Sequence, residues 1–178
     1  AADLNTISGR TTATVNASAA TAINGSAADV ATALADTEIS HTSTFDVTLS
    51  TGSATATGLS TINAATTKNI DATAVTAITG TAAAVKAIMD VEANTGNFIN
   101  LDGNFSATVD AGAVEASDLT AISLKTEGTV VATGATAING TANEVATVLA
   151  DTEITHTSTL AVTIDTNMAA TASDLVAI

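Results

Sequence analysis

The chain has 178 residues, 40 of them Ala and 36 Thr, with no Trp, Tyr, Cys or Pro and a formal net charge of −14 from 18 acidic and 4 basic side chains. Four basic residues and three Phe exclude a phosphate-contacting or base-stacking nucleic-acid binder, and the lack of Cys excludes disulfides and thiol-ligated zinc. No apolar run reaches the roughly 18 residues of a membrane span. Leu, Ile, Val and Phe total 40, so a wide core is not expected. A thin one is, with Ala allowing close backbone approach.

In chain order, the short motif AADLNTI at 1–7 recurs as ATGLSTI at 56–62, ASDLTAI at 116–122 and ASDLVAI at 172–178. Its Leu and Ile at i, i+3 predict a single tight helical turn. A second motif joins Gly25-Ser26 to Val30 and Leu34, Gly80-Thr81 to Val85 and Met89, and Gly140-Thr141 to Val145 and Leu149. Its i, i+4 spacing behind a Ser or Thr predicts a capped amphipathic helix. Six Val, Ile and Thr-rich segments predict strands: TATVNAS, TFDVTLS, KNIDATAV, FSATVDAG, GTVVATG and TLAVTID.

The chain also resembles itself. Residues 21–49 and 136–164 are identical at 21 of 29 positions without a gap, and a diverged copy begins at Thr76. The period is about 57 residues, which divides the chain into a partial unit at 1–20, repeats at 21–75 and 76–135, and a partial repeat at 136–178. Strand, helical crossover and a further strand of the same direction make a parallel arrangement. The expected fold is therefore an α/β solenoid of stacked parallel strands with short helices and tight helical turns alternating between them, two coils per repeat. Its inward ladder is Val30, Leu34, Val47, Ile70, Val85, Val109, Leu119, Ile122, Val145, Leu149 and Val162. Because the chain opens and closes on one phase of the repeat, the expectation is a segment of a longer array or a subunit stacking end to end with copies of itself.

The combination of G-[ST]-A-x-x-V-x-x-x-L-A-D, A-S-D-L-x-A-I and Thr-rich strands resembles repeats of giant acidic Ala/Thr-rich bacterial cell-surface proteins, the "beta strand repeat" adhesins of marine cyanobacterial type. That resemblance implies cell-surface layers, adhesion or extracellular fibres. No G-G-x-G-x-D run of the calcium-binding repeat type is present.

Asp36, Glu38 and His41, duplicated as Asp151, Glu153 and His156, form the sharpest polar constellation. Carboxylate oxygens suit calcium and imidazole a transition metal; the alternative is an Asx-type turn leaving the helix. Asp36 and Asp151 fall at predicted helix C-termini, where negative charge is unfavourable, and a cation would offset that. Thr pairs at 12/14, 42/44, 55/57 and 157/159 would share a face if they stood on strands, as an ice-binding surface requires; because they do not recur in every coil, β-propensity is the preferred explanation. Of the four N-x-[ST] triplets, Asn24-Gly25 and Asn139-Gly140 read as turns. The functional expectation is a non-enzymatic extracellular or cell-surface spacer or scaffold, with neighbouring repeats or identical subunits as partners and neither nucleic acid nor membrane insertion. The alternatives are a module binding a surface glycan through calcium, an ice binder, or a phage fibre segment.

Overall fold

The computed structural model describes residues 1–92, 98–165 and 171–178. They form an α/β structure in which short helices alternate with strands paired in parallel. Two compact units are present: Ala1–Ala77 with Asp90–Asp102, and Ile78–Met89 with Gly103–Ile178.

The helices begin where Ser or Thr precedes an Ala-rich run. Ser26 opens α2 (Ala27–Ala35) by accepting the Asp29 N–H at 3.1 Å. Thr81 does the same for α4 (Ala82–Glu92), and Thr141 for α6 (Ala142–Ala150), where Glu144 reaches back to the Thr141 N–H to complete a capping box. These are the three expected helices.

The four expected tight turns are also α-helices: α1 (Ala2–Ser8), α3 (Ala56–Ala65), α5 (Ala116–Ser123) and α7 (Ala172–Ala177). Leu and Ile at i, i+3 fit the apolar stripe of an α-helix as well as a 3₁₀ turn, and two of the four helices, α3 and α7, carry a side-chain cap. Thr55 accepts the Gly58 N–H at 3.0 Å, and Thr171 forms a capping box with Asp174. A Cβ added at Gly58 would make an ordinary contact with that of Ala31, at 3.6 Å, and α3 packs on α2.

In the first unit, β1 (Val15–Asn16) pairs with β2 (Ile39–Ser40), and β5 (Ile70–Ala72) lies between β3 (Val47–Thr48) and β7 (Ile99–Leu101), all parallel. There β4 (Gly52–Thr55) neighbours β6 (Val75–Gly80). In the second unit, β10 (Val130–Val131) stands between β8 (Ser106–Val109) and β12 (Ile154–Thr155), and β11 (Ala135–Gly140) between β9 (Gly112–Glu115) and β13 (Ala161–Ile164), again parallel.

All six expected strands are present, but the described residues hold thirteen. Of the seven others, GSAT and GAVE hold one β-branched residue each, IS, INL and IT are only two or three residues long, and VTAITG and ATAING run into the Gly that precedes a helix cap. Two neighbouring pairs of the expected strands do pair, β3 with β5 and β8 with β10, whereas other partners are strands that were not expected, β2, β11 and β12 among them. Val15 pairs with Ile39, Val130 with Ile154 and Ile138 with Val162, each 24 residues on, and Val47 with Ile70, 23 on.

Inward positions alternate along the strands, as Ile70, Ala72, Ile99, Leu101, Ala107 and Val109 show, and Ala27, Ala33, Ala116 and Ala142 complete the core from the helices. Most of the expected ladder is buried. Leu34 and Leu149 are only half-buried, because the core-facing row steps through Val30 to Ala33 and Val145 to Val148. Val162 is exposed, on the end strand of its sheet. Five glycines, Gly25, Gly52, Gly80, Gly112 and Gly140, have φ between 139° and 154°. Gly25, Gly80 and Gly140 immediately precede the caps of α2, α4 and α6, where an L side chain would be strained.

Candidate functional site

The polar constellation sits where α2 and α6 end. Asp36 and Asp151 are the C-cap residues of these helices. Each carboxylate receives a serine hydroxyl from the preceding helix: Ser8 Oγ donates to Asp36 Oδ2 at 2.6 Å and Ser123 Oγ to Asp151 Oδ2 at 2.8 Å. The other oxygen closes an Asx turn, accepting the Glu38 N–H or the Glu153 N–H at 2.9 Å. Two donors thus compensate a charge that the helix end disfavours. The Ser8 hydroxyl, and then the Glu38 N–H, hold the Asp36 carboxyl below its ordinary pKa.

Glu38 and Glu153 themselves point to solvent. His41 Nδ1 lies 2.8 Å from the Thr42 carbonyl, and its ring meets Phe45 edge-on at 5.4 Å between centroids; His156 Nδ1 is 3.3 Å from the Thr157 carbonyl. Among the described residues no three His, Asp or Glu side chains converge as a cation-holding group. The structure thus brings Asp36 to Ser8 and to the Glu38 backbone, and His41 to Phe45.

Two buried threonines form a motif that sequence reasoning missed. Thr66 Oγ1 donates to the Phe45 carbonyl at 2.8 Å and lies 3.3 Å from that of Ser43. Sixty residues on, Thr126 Oγ1 donates to the Phe105 carbonyl and lies 3.3 Å from that of Gly103. Each hydroxyl also accepts the N–H two residues ahead, from Lys68 or Gly128. The backbone repeats the grip: the Thr67 N–H bonds Ser43 O and the Glu127 N–H bonds Gly103 O, both at 2.7 Å. Beneath lie Phe45 and Phe105, two of the three phenylalanines, almost wholly buried. The signal available was the shared 60-residue spacing of Phe and Thr in both places.

The Thr pairs do not build a flat array on strands. Thr12, Thr14, Thr42, Thr44, Thr157 and Thr159 stand in turns or loops, Thr55 caps α3 and Thr57 lies within it. The solvent-facing strand positions carry mixed polar residues instead: Asn16 beside Ser40, and Thr48, Asp71 and Asn100 in register. The second unit holds a shallow groove of about 350 Å³ between α5 and α6, lined by Ser117, Thr120, Ala121, Leu124, Asn143, Glu144 and Thr147. No helix among the described residues is long and apolar enough to cross a membrane. No protein-family model, no curated protein and no solved structure matches this chain.

Proposed function

We propose that the chain is a structural repeat segment, folded as an α/β solenoid, of an extracellular surface protein, adhesin or filament, and that its work is to span distance and present a repetitive surface without catalysis. One observation carries this reading. Parallel partners recur 23 or 24 residues apart at Val15 and Ile39, Val47 and Ile70, Ala107 and Val130, Val130 and Ile154, Val114 and Ile138, and Ile138 and Val162, and 29 apart at Ile70 and Ile99. A chain that returns to the same place after a similar number of residues builds contacts chiefly with its sequence neighbours. The acidic surface supports the same reading, since self-repulsion keeps a long repetitive body dispersed.

Removal of residues 1–25 tests the architecture. In a solenoid the remaining chain keeps its helical circular dichroism and melts cooperatively at a lower temperature; collapse to an unfolded chain argues for a single indivisible core. Antibodies against the 178-residue chain test the location, with labelling of intact, unpermeabilised source cells expected. Labelling only after permeabilisation rejects a surface role.

A further inference from the structure

Four Asn-x-Ser/Thr triplets, the acceptor pattern for an N-linked sugar on an exported chain, start at Asn16, Asn24, Asn104 and Asn139. Their surroundings differ. At Asn24 and Asn139 the hydroxyl two residues on is committed to a helix start: Ser26 Oγ accepts the Asp29 N–H and donates to the Asp29 carboxylate, and Thr141 Oγ1 does the same with Glu144. Both amides are engaged as well. Asn24 Oδ1 accepts the Thr48 N–H at 2.9 Å, and Asn139 Nδ2 donates to the Glu115 carboxylate at 3.3 Å. At Asn104 the middle residue, Phe105, is fully buried, and the Thr126 hydroxyl holds its carbonyl.

Asn16 is arranged otherwise. Asn16 and Ser18 are exposed, and the Ser18 hydroxyl and N–H both donate to Asn16 Oδ1, at 2.6 and 3.0 Å. Its Nδ2 has no hydrogen-bond partner among the described residues. Asn16 ends β1, and a turn follows at once, closed by the Ala20 N–H on the Ala17 carbonyl at 2.9 Å. The exposure comes from the direction in which the strand aims this position. Asp71 and Thr73 repeat the arrangement, with the Thr73 hydroxyl and N–H on Asp71 Oδ1 at 2.7 and 3.2 Å. Both stay exposed although β5 is flanked by β3 and β7, because alternation turns Ile70 and Ala72 to the core and Asp71 away from it.

Resting on the reading of an extracellular surface protein, we propose that Asn16 is a glycan acceptor, modified by an oligosaccharide carried on a polyprenyl diphosphate. Asn16 Nδ2 attacks the anomeric carbon of the first sugar. The new N–C bond replaces the C–O bond to the diphosphate, which leaves with the electron pair, and Nδ2 gives up one proton to a carboxylate base of the transferase. Ser18 is a positioning residue: its grip on Oδ1 fixes the amide and leaves Nδ2 open. A sugar at this position stands on the polar strand face beside Ser40.

Peptide mapping of the protein from its source cells tests this, after enzymatic release of N-linked sugars in heavy-oxygen water, which converts a glycosylated Asn into labelled Asp. The label is expected at Asn16 and at none of Asn24, Asn104 and Asn139; an unlabelled Asn16, or equal labelling of all four, overturns the proposal. In a second arm the folded 178-residue chain is incubated with a purified oligosaccharyltransferase and polyprenyl-diphosphate chitobiose. Sugar should appear on Asn16, Ser18→Ala should lose it and Ser18→Thr should keep it, with circular dichroism and melting unchanged. Modification of Asn24 or Asn139 ahead of Asn16, or modification indifferent to Ser18→Ala, overturns the assignment. The two readings fail separately. An unlabelled Asn16 on chains that antibodies find at the surface of intact cells rejects the glycan alone, whereas antibody labelling only after permeabilisation rejects the surface role and leaves the transferase arm to decide the site.

Discussion

Residues 21–49 and 136–164 carry nearly the same sequence and repeat the same local structure, yet they are not buried alike. Both open with Asn-Gly, both cap their helix with a hydroxyl, and both end it on an Asp held by a serine. Phe45 and Val47 are then 1% and 2% exposed, while Leu160 is half-buried and Val162 open. Local sequence thus determines the helix, its caps and its Asx turn. Whether the strand that follows becomes core depends on what is laid over it, here Thr66 and β5.

The largest expected effect breaks this contrast at its most buried point. Phe45→Ala should cost about 4 kcal/mol, through lost burial and the cavity left behind, whereas Leu160→Ala should cost about 1 kcal/mol or less because its site is already open; urea titration of both variants compares them. Equal losses would show that the two segments are packed alike. A middle effect belongs to the hydroxyl grip. Thr66→Val and Thr126→Val should each cost about 2 kcal/mol, since each leaves a buried carbonyl without its donor, while Thr11→Val should change stability by less than about 0.5 kcal/mol, as exposed positions usually do.

The smallest effect sharpens the comparison at the helix ends. Asp36 has a lowered folded-state pKa, so its contribution is complete above the ordinary carboxylate pKa of about 4 and is lost as pH falls through the lower folded-state value. Glu144 follows the same sign, held down by the Thr141 N–H and then its hydroxyl. Asp36→Asn and Ser8→Ala should therefore each flatten the acid limb of the melting temperature against pH and leave the neutral limb lower by a small amount. An acid limb identical to that of the unsubstituted chain would remove Asp36 from the account. Calcium and EDTA should leave the melting temperature unchanged if the serine and the Asx turn are the only partners of Asp36 and Asp151.

Much of the fold was legible because its signals are local. Ser26, Thr81 and Thr141 mark helix starts through a hydroxyl that needs only the third residue ahead, and Val, Ile and Thr alternation locates six of the strands. The Ala, Gly and Thr strands were not legible: a segment such as Gly52–Thr55 has little side-chain preference and becomes a strand only when a partner supplies its hydrogen bonds. The Asp36 turn was visible as a polar cluster, but the residue that completes it, Ser8, lies 28 positions away. Nothing in DTEISH points to it.

By itself the sequence determined an acidic, Ala- and Thr-rich chain with a repeated order of capped helix, Asx turn and strand, because caps, turns and alternation act within a few residues. Only the tertiary structure decided which strands pair, that the shorter motifs are full helices, and that Phe45 is sealed while Leu160 is not. Those outcomes depend on partners 21 to 29 residues distant, and burial is a property of the covering segment as much as of the residue covered.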